Sequence, residues 1–201
     1  MKNPRSWLTC YLSGVPGTVV PGINPELIRL ISRTEYDRMI QLGMFDDERV
    51  ELLYGVLISM SPHRPEHARA LRVLYKLLLP QVGDRAEVQS QLPLALASHS
   101  EPEPDLSVVP SGDYSDEHPS QAWLVIEVAA TSLPKDRNVK AKLYAECGIL
   151  EYWIVNLVDK VVEVYREAAD GKYRSATISR PGDSIALVKF PNVRIAVSDI
   201  F

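Results

Sequence analysis

The stretch Trp123-Leu124-Val125-Ile126-Glu127-Val128 constrains what this chain can fold into more than any other segment. Its apolar residues follow one another without alternation, the pattern of a strand covered on both faces. A strand of that kind needs layers packed on either side, which calls for a sheet inside a mixed α/β architecture. Glu127 then becomes the residue to explain. An ionised carboxylate in a dry strand costs several kcal/mol unless a cation or a metal answers it. Strand alternation puts Glu127 on the face of Trp123, Val125 and Ala129.

The remaining elements follow from periodicity and punctuation. Residues 1–30 hold Pro4, Pro16, Pro21 and Pro25 among Gly14, Gly17 and Gly22, and read as an irregular arm. Thr34 is placed to cap a helix through Glu35 and Ile40 that stops near Gly43. Val50 to Leu53 and Val56 to Met60, joined by Tyr54-Gly55, predict a β-hairpin. Pro65 suits the first turn of a helix carrying Leu71, Leu74 and Leu78 and ending at Pro80. Alternation predicts a strand from Val88 to Leu96, and Leu106 to Val109 a short one. A second helix is expected from Asp136 to Cys147, with Gly148 as its stop. Strands at Tyr152 to Val155 and Val161 to Tyr165 flank a turn at Asp159-Lys160. Asp170-Gly171 and Pro181-Gly182-Asp183 punctuate a strand-rich tail. The expected fold is α/β: a central mixed β-sheet flanked by α-helices, with an extra hairpin and C-terminal strands, in a single domain over residues 31–201.

Charge narrows the function classes. The chain carries 22 Lys and Arg against 26 Asp and Glu, a net charge of −4. That disfavours a basic protein that coats nucleic acid by releasing counterions. The acids are unevenly placed: Glu101, Glu103, Asp105, Asp113, Asp116 and Glu117 fall in a stretch without Lys or Arg. Lys135, Arg137, Lys140 and Lys142 instead cluster around Asp136. Cys10 and Cys147 are too few for a cysteine framework or a four-cysteine zinc site. The apolar stretch Trp7 to Leu12 is broken by Thr9 and closed by Ser13-Gly14, short of the ~7–15 residues of a leader core. No run approaches the ~18 apolar residues of a membrane span. A cytoplasmic protein without a membrane partner is the expectation.

Asp105 follows Pro104 and opens a short strand. Two carboxylates on neighbouring strands make a hard oxygen site suited to Mg²⁺, and Glu51 on the hairpin could add a third oxygen. A lysine is also wanted, to orient water or answer charge at a scissile phosphate. In the nuclease pattern Pro-Asp…Asp/Glu-X-Lys it stands two residues beyond the second carboxylate, where this chain has Ala129. On a helix, residues four apart share a face, so Asp136, Lys140 and Tyr144 align, and Lys140 could point back at Glu127. Plainer readings stand beside this one. Pro-Asp is a common turn, Glu127 could meet a strand-end cation, and Lys140 could be a surface lysine paired with Asp136.

The ordered set of segments resembles the Uma2 family, a bacterial branch of the PD-(D/E)XK restriction-endonuclease-like superfamily. The residues that carry the resemblance are Glu51-Leu52-Leu53-Tyr54-Gly55-Val56-Leu57-Ile58-Ser59-Met60-Ser61-Pro62, His67 and Pro104-Asp105-Leu106-Ser107-Val108-Val109. They continue through Val125-Ile126-Glu127-Val128, Ser132, Asp136-Arg137-Asn138-Val139-Lys140, Tyr144 and Gly148-Ile149-Leu150-Glu151-Tyr152-Trp153-Ile154-Val155. The resemblance spans residues 34–201. In similar proteins the lysine has moved to the following helix in an Asp-x-x-x-Lys-x-x-x-Tyr pattern, which Asp136, Lys140 and Tyr144 match.

The resemblance implies an endonuclease that hydrolyses DNA with Mg²⁺, for which Mn²⁺ can substitute. Asp105 and Glu127 would bind the ion together with the Val128 carbonyl and Glu51. Lys140 would orient water or stabilise the transition state, supported by Asp136 and Tyr144. His67, near a helix start, would touch metal-bound water, substrate or a structural carbonyl. Lys135, Arg137 and Lys142 would contact phosphates, and a homodimer would match two cuts to two strands. Glu151-Tyr152-Trp153 and Cys147 are expected in the core, and Ser132 as a cap. The alternative from another class is a catalytically inactive nuclease-fold protein that binds nucleic acid or protein.

Overall fold

The structure is a computed structural model that describes residues 27–201. Residues 1–26, with Cys10, the leader reading and most of the expected arm, lie outside the described residues. The first element, α1 (Arg33–Gln41), begins two residues earlier than Thr34 predicts. Ser32 is the N-cap, and Glu35 returns its carboxylate to the Ser32 N–H at 3.0 Å. This reciprocal capping box satisfies two otherwise open amides, whereas Thr34 sits inside the helix.

The hairpin forms as β1 (Val50–Leu53) and β2 (Val56–Ser59). Tyr54 and Gly55 both take positive φ, 52° and 81°, as a tight two-residue turn of the primed type requires. A Cβ on Gly55 would meet Leu30 Cβ at 2.6 Å, so the chain before α1 can approach only a glycine here. Every residue of β1 is buried because a second segment lies alongside it. Leu52 and Glu101 exchange backbone hydrogen bonds of 3.2 and 2.8 Å.

Helix α2 (Pro65–Val82) runs two residues past the expected stop at Pro80. Proline forfeits one amide donor, but Leu78 and Val82 are fully buried and hold the last turn on the sheet. The sheet has six strands in the order β3-β4-β5-β6-β7-β8. They are β3 (Glu87–Ser90), β4 (Leu106–Val109), β5 (Leu124–Ala129), β6 (Glu151–Asn156), β7 (Val161–Ala169) and β8 (Lys172–Ser179). Only β5 and β6 run parallel, and the helical crossover between them makes the sheet mixed. The expected strand to Leu96 stops at Ser90. Gln91 adopts φ 55° and gives its N–H to the Asp105 carbonyl at 3.1 Å, which turns the chain out of the sheet.

The crossover, α3 (residues 133–146), starts before Asp136. It comprises Leu133–Lys135 and Ala141–Glu146 in α geometry around a π-helical turn at Asp136–Lys140. Ser132 stands at its N-cap but makes no side-chain capping bond. A small hairpin of β9 (Ser184–Ala186) and β10 (Arg194–Ala196) and a short α4 (Val197–Ile200) complete the chain. Alternation along β5 divides the interior. Leu124, Ile126 and Val128 join the dry core beneath α2 and the C-terminal hairpin. Val125 and Ala129 meet Tyr144 and Tyr152 beneath α3. No helix among the described residues is long and apolar enough to cross a membrane.

Candidate active site

Glu127 lies on the α3 face of β5, and the pairing of Leu106 with Ile126 continues so that Asp105 falls opposite it. Directly opposed residues have Cβ atoms about 5 Å apart, so the two carboxylates share one small volume. Asp105 is tied in from both sides. The Val128 N–H donates to Asp105 Oδ2 at 2.7 Å, and His67 Nε2 lies 3.0 Å from that same oxygen. The Val128 amide thus ties Asp105 to β5.

Lys140 is the cation that faces Glu127, with only 2% of its side chain exposed. Its Nζ lies 2.8 Å from Glu127 Oε1 and 2.9 Å from Glu51 Oε2. The Tyr144 hydroxyl donates to the same Glu127 oxygen at 2.8 Å. The π turn shapes this arrangement. The Ala141 N–H bonds to the Asp136 carbonyl, five residues back, and the wider turn buries Asp136, Val139 and Lys140 together. Asp136 was expected to brace Lys140, yet the lysine's ion pairs are with Glu51 and Glu127. Asp136 acts on it through charge rather than contact.

Glu51 is fully buried and also receives Lys135 Nζ at 2.8 Å. Burial opposes its charge, but Lys140 and Lys135 hold its carboxyl below the ordinary carboxylate range. Burial likewise works against Asp105, which His67 and the Val128 amide keep low. Glu127 goes the other way. Burial pushes it up to about 8; Lys140 opposes the shift, while the charges of Asp136, Asp105 and Glu51 add to it. Burial would strip the proton from Lys140, but Glu127 and Glu51 drive its pKa well above the usual lysine value. Burial is also the main cause raising Asp136.

All of these groups except Glu51 border a cavity of about 1000 Å³, whose walls include Asp105, Glu127, Lys140, Asp136, His63 and His67. The three residues expected to contact phosphates lie in different surroundings. Lys135 lines the cavity but is paired with Glu51. Arg137 points elsewhere and binds Glu163 through Nε and Nη2. Lys142 sits near Glu146 and over the Tyr54 ring, away from the cavity. The charge cluster read along the sequence splits because a helix directs neighbouring residues to different sides. The cations that do border the cavity are Arg64, Arg69 and Lys160, together with Lys135 and Lys140.

His63 escaped the sequence reading. Its ring stacks on His67 with centroids 4.2 Å apart, and its Nε2 lies 4.0 Å from Asp105 Oδ1. Burial, then the neighbouring His67, lowers its pKa and favours the neutral ring. The spacing His63-x-x-x-His67 was the available signal, since residues four apart meet across a helix start.

Two comparisons bear on this geometry. A family model described as "Uma2: Putative restriction endonuclease" matches residues 33–198. The chain is also similar to a crystal structure titled as "a putative nuclease belonging to DUF820" from Anabaena variabilis. The TM-score is 0.64 at 17% sequence identity, over 85% of this chain and 97% of that one. Identity that low speaks for the shared fold alone. No curated protein matches the chain.

Proposed function

Because this chain belongs to the Uma2 family, we propose that it is a divalent-metal-dependent nuclease hydrolysing DNA phosphodiester bonds in the cavity between α2, β5 and α3. The observation that carries the reading is a charge imbalance at a buried site. The carboxyl groups of Asp105, Glu127, Glu51 and Asp136 are set against the ammonium groups of Lys135 and Lys140. With these six groups ionised the deficit equals the charge of one divalent cation, and the raised pKa of Glu127 lets a proton answer part of it when no cation does. Low dielectric makes such a deficit costly, and a bound cation relieves it.

The donor set fits such an ion. Glu127 Oε1 accepts from Lys140 and Tyr144, whereas Oε2 accepts no hydrogen bond among the described residues, and Glu127 borders the cavity. Asp105 Oδ1, opposite it, is also without a close hydrogen-bond donor among the described residues. Asp105 and Glu127 would therefore hold Mg²⁺ or Mn²⁺ with water filling the remaining positions, as is usual for these ions. Glu51, saturated by Lys135 and Lys140 and absent from the cavity wall, serves to position Lys140 rather than to bind the ion. When bound, the cation supplies Lewis acidity and a water of lowered pKa.

The chain's own groups then have separable roles. Lys140 has three N–H donors, of which two are spent on Glu51 and Glu127. The third is available to the cavity, where it orients the attacking water or answers charge on the phosphate oxygens. Tyr144 fixes the rotamer of Glu127 so that Oε2 stays directed outward. Arg64 and Lys160 at the cavity wall take the flanking phosphates in place of Arg137 and Lys142. The test is cleavage of supercoiled plasmid by the purified chain with Mg²⁺ or Mn²⁺, with and without EDTA. Nicked and linear products should form only with metal and vanish in Asp105→Ala. Cutting that persists in EDTA, or no cutting beside intact metal-independent DNA binding, would overturn the proposal.

A further inference from the structure

An all-oxygen site does not account for the two imidazoles beside Asp105. His63, His67 and Asp105 each offer one candidate ligand atom, and these atoms all lie within 4.8 Å of one another. The separations from the two oxygens of Asp105, 3.0 Å from His67 Nε2 to Oδ2 and 4.0 Å from His63 Nε2 to Oδ1, are close to the spacing of neighbouring ligands around one ion. With bonds of about 2.1 Å, ligand atoms in a tetrahedral shell stand about 3.4 Å apart.

The placement is built rather than incidental. His63 precedes Pro65, the first residue of α2, and His67 lies within its first turn. The stacked rings, inclined by only 15°, present their edges to the same carboxylate. Gln91 adds a support from a third element. Its side-chain amide nitrogen lies 3.0 Å from His63 Nδ1 and 3.1 Å from His63 Nε2, while its backbone N–H bonds to the Asp105 carbonyl. An amide that contacts an imidazole and is anchored to a second ligand helps to fix where that ring sits.

We propose that His63 and His67 join Asp105 as ligands, so that the cavity takes a first-row transition ion such as Mn²⁺, Co²⁺, Ni²⁺ or Zn²⁺ in preference to Mg²⁺. This rests on the reading of the cavity as a hydrolytic metal site and specifies which ion it selects. Imidazole suits transition ions and adds little for Mg²⁺, which prefers oxygen and gives up its water reluctantly. His63 and His67 are then selectivity residues that distinguish this chain's site from one made of carboxylates alone.

The experiment is calorimetric titration of the metal-free full chain with CoCl₂ and with MgCl₂, accompanied by the visible absorption spectrum of the Co²⁺ complex. The wild type should bind Co²⁺ at least about 100-fold more tightly than Mg²⁺. H63A/H67A should weaken Co²⁺ by at least about tenfold and alter its spectrum, while shifting Mg²⁺ by no more than about twofold. His63→Phe keeps a ring stacked on His67 and removes the ligand nitrogen, so its loss of Co²⁺ affinity would separate ligation from packing. Co²⁺ affinity and spectrum unchanged in H63A/H67A but lost in Asp105→Ala would overturn the proposal and leave the hydrolytic-metal reading standing. Absence of binding by either ion to the folded wild type would overturn both.

Discussion

Two buried glutamates on adjacent parallel strands, Glu127 on β5 and Glu151 at the start of β6, are treated in opposite ways. Glu151 is 1% exposed and fully satisfied. Its Oε1 accepts from Trp153 Nε1 and from Nε and Nη2 of Arg166, and its Oε2 from the Val188 N–H at 2.8 Å. Glu127 is nearly as buried, at 5% exposed, but both its donors share one oxygen and Glu127 borders the cavity. Burial therefore does not distinguish a structural carboxylate from a functional one. The unfilled acceptor on the cavity does, because a carboxylate oxygen with no protein donor is the one left open to a cation.

The contrast can be broken most sharply at the cavity. Asp105→Asn should lower metal-supported DNA cleavage by about a thousandfold or more while the protein stays folded. Wild-type rates for this variant would remove Asp105 from the site. Lys140→Met should cost roughly 3–5 kcal/mol in chemical denaturation, because Glu51 and Glu127 lose their shared cation. Adding Glu127→Gln should restore part of that loss, and simple additivity of the two changes would deny the coupling. Glu151→Gln should cost about 3 kcal/mol, as charge-assisted bonds to Arg166 are weakened in a closed site.

Smaller effects sharpen the boundary. Arg137 is paired with Glu163 but 43% exposed, so Arg137→Ala should cost about 1 kcal/mol or less and leave cleavage unchanged. Glu101 offers a test by pH. Burial, with Asp37 nearby, raises its pKa from 4.5 to about 7. Between those values the folded state holds a proton that the unfolded chain releases, so stability falls as pH rises through this window. Glu101→Gln should therefore melt with the wild type near pH 5 and above it near pH 8. Identical melting curves at pH 8 would contradict the assignment.

The parts of the site that could be read from the sequence were those set by local periodicity. An acid inside an apolar run marked Glu127, Pro104-Asp105 at the start of a short strand marked Asp105, and four-residue spacing brought Lys140 and Tyr144 to one side of α3. What escaped depends on contacts between distant segments. The hairpin's burial against residues 99–101 brings Glu51 onto Lys140, and nothing near Arg137 in sequence foretells Glu163 across the sheet. The π turn removes Asp136 from direct contact with Lys140, and neither propensity nor spacing encodes it visibly. Two misses were legible nonetheless. Ser32-Arg33-Thr34-Glu35 is a capping-box pattern, and His63 stands four residues before His67.

The central claim is best tested by assaying Glu127→Gln and Glu151→Gln side by side for plasmid cleavage with Mn²⁺, each below its own melting temperature. Glu127→Gln should keep stability within about 1 kcal/mol of the wild type and lose cutting. Glu151→Gln should melt lower and still cut within about threefold of the wild-type rate. The reverse outcome, a Glu127 variant that cuts normally while a folded Glu151 variant does not, would contradict the account.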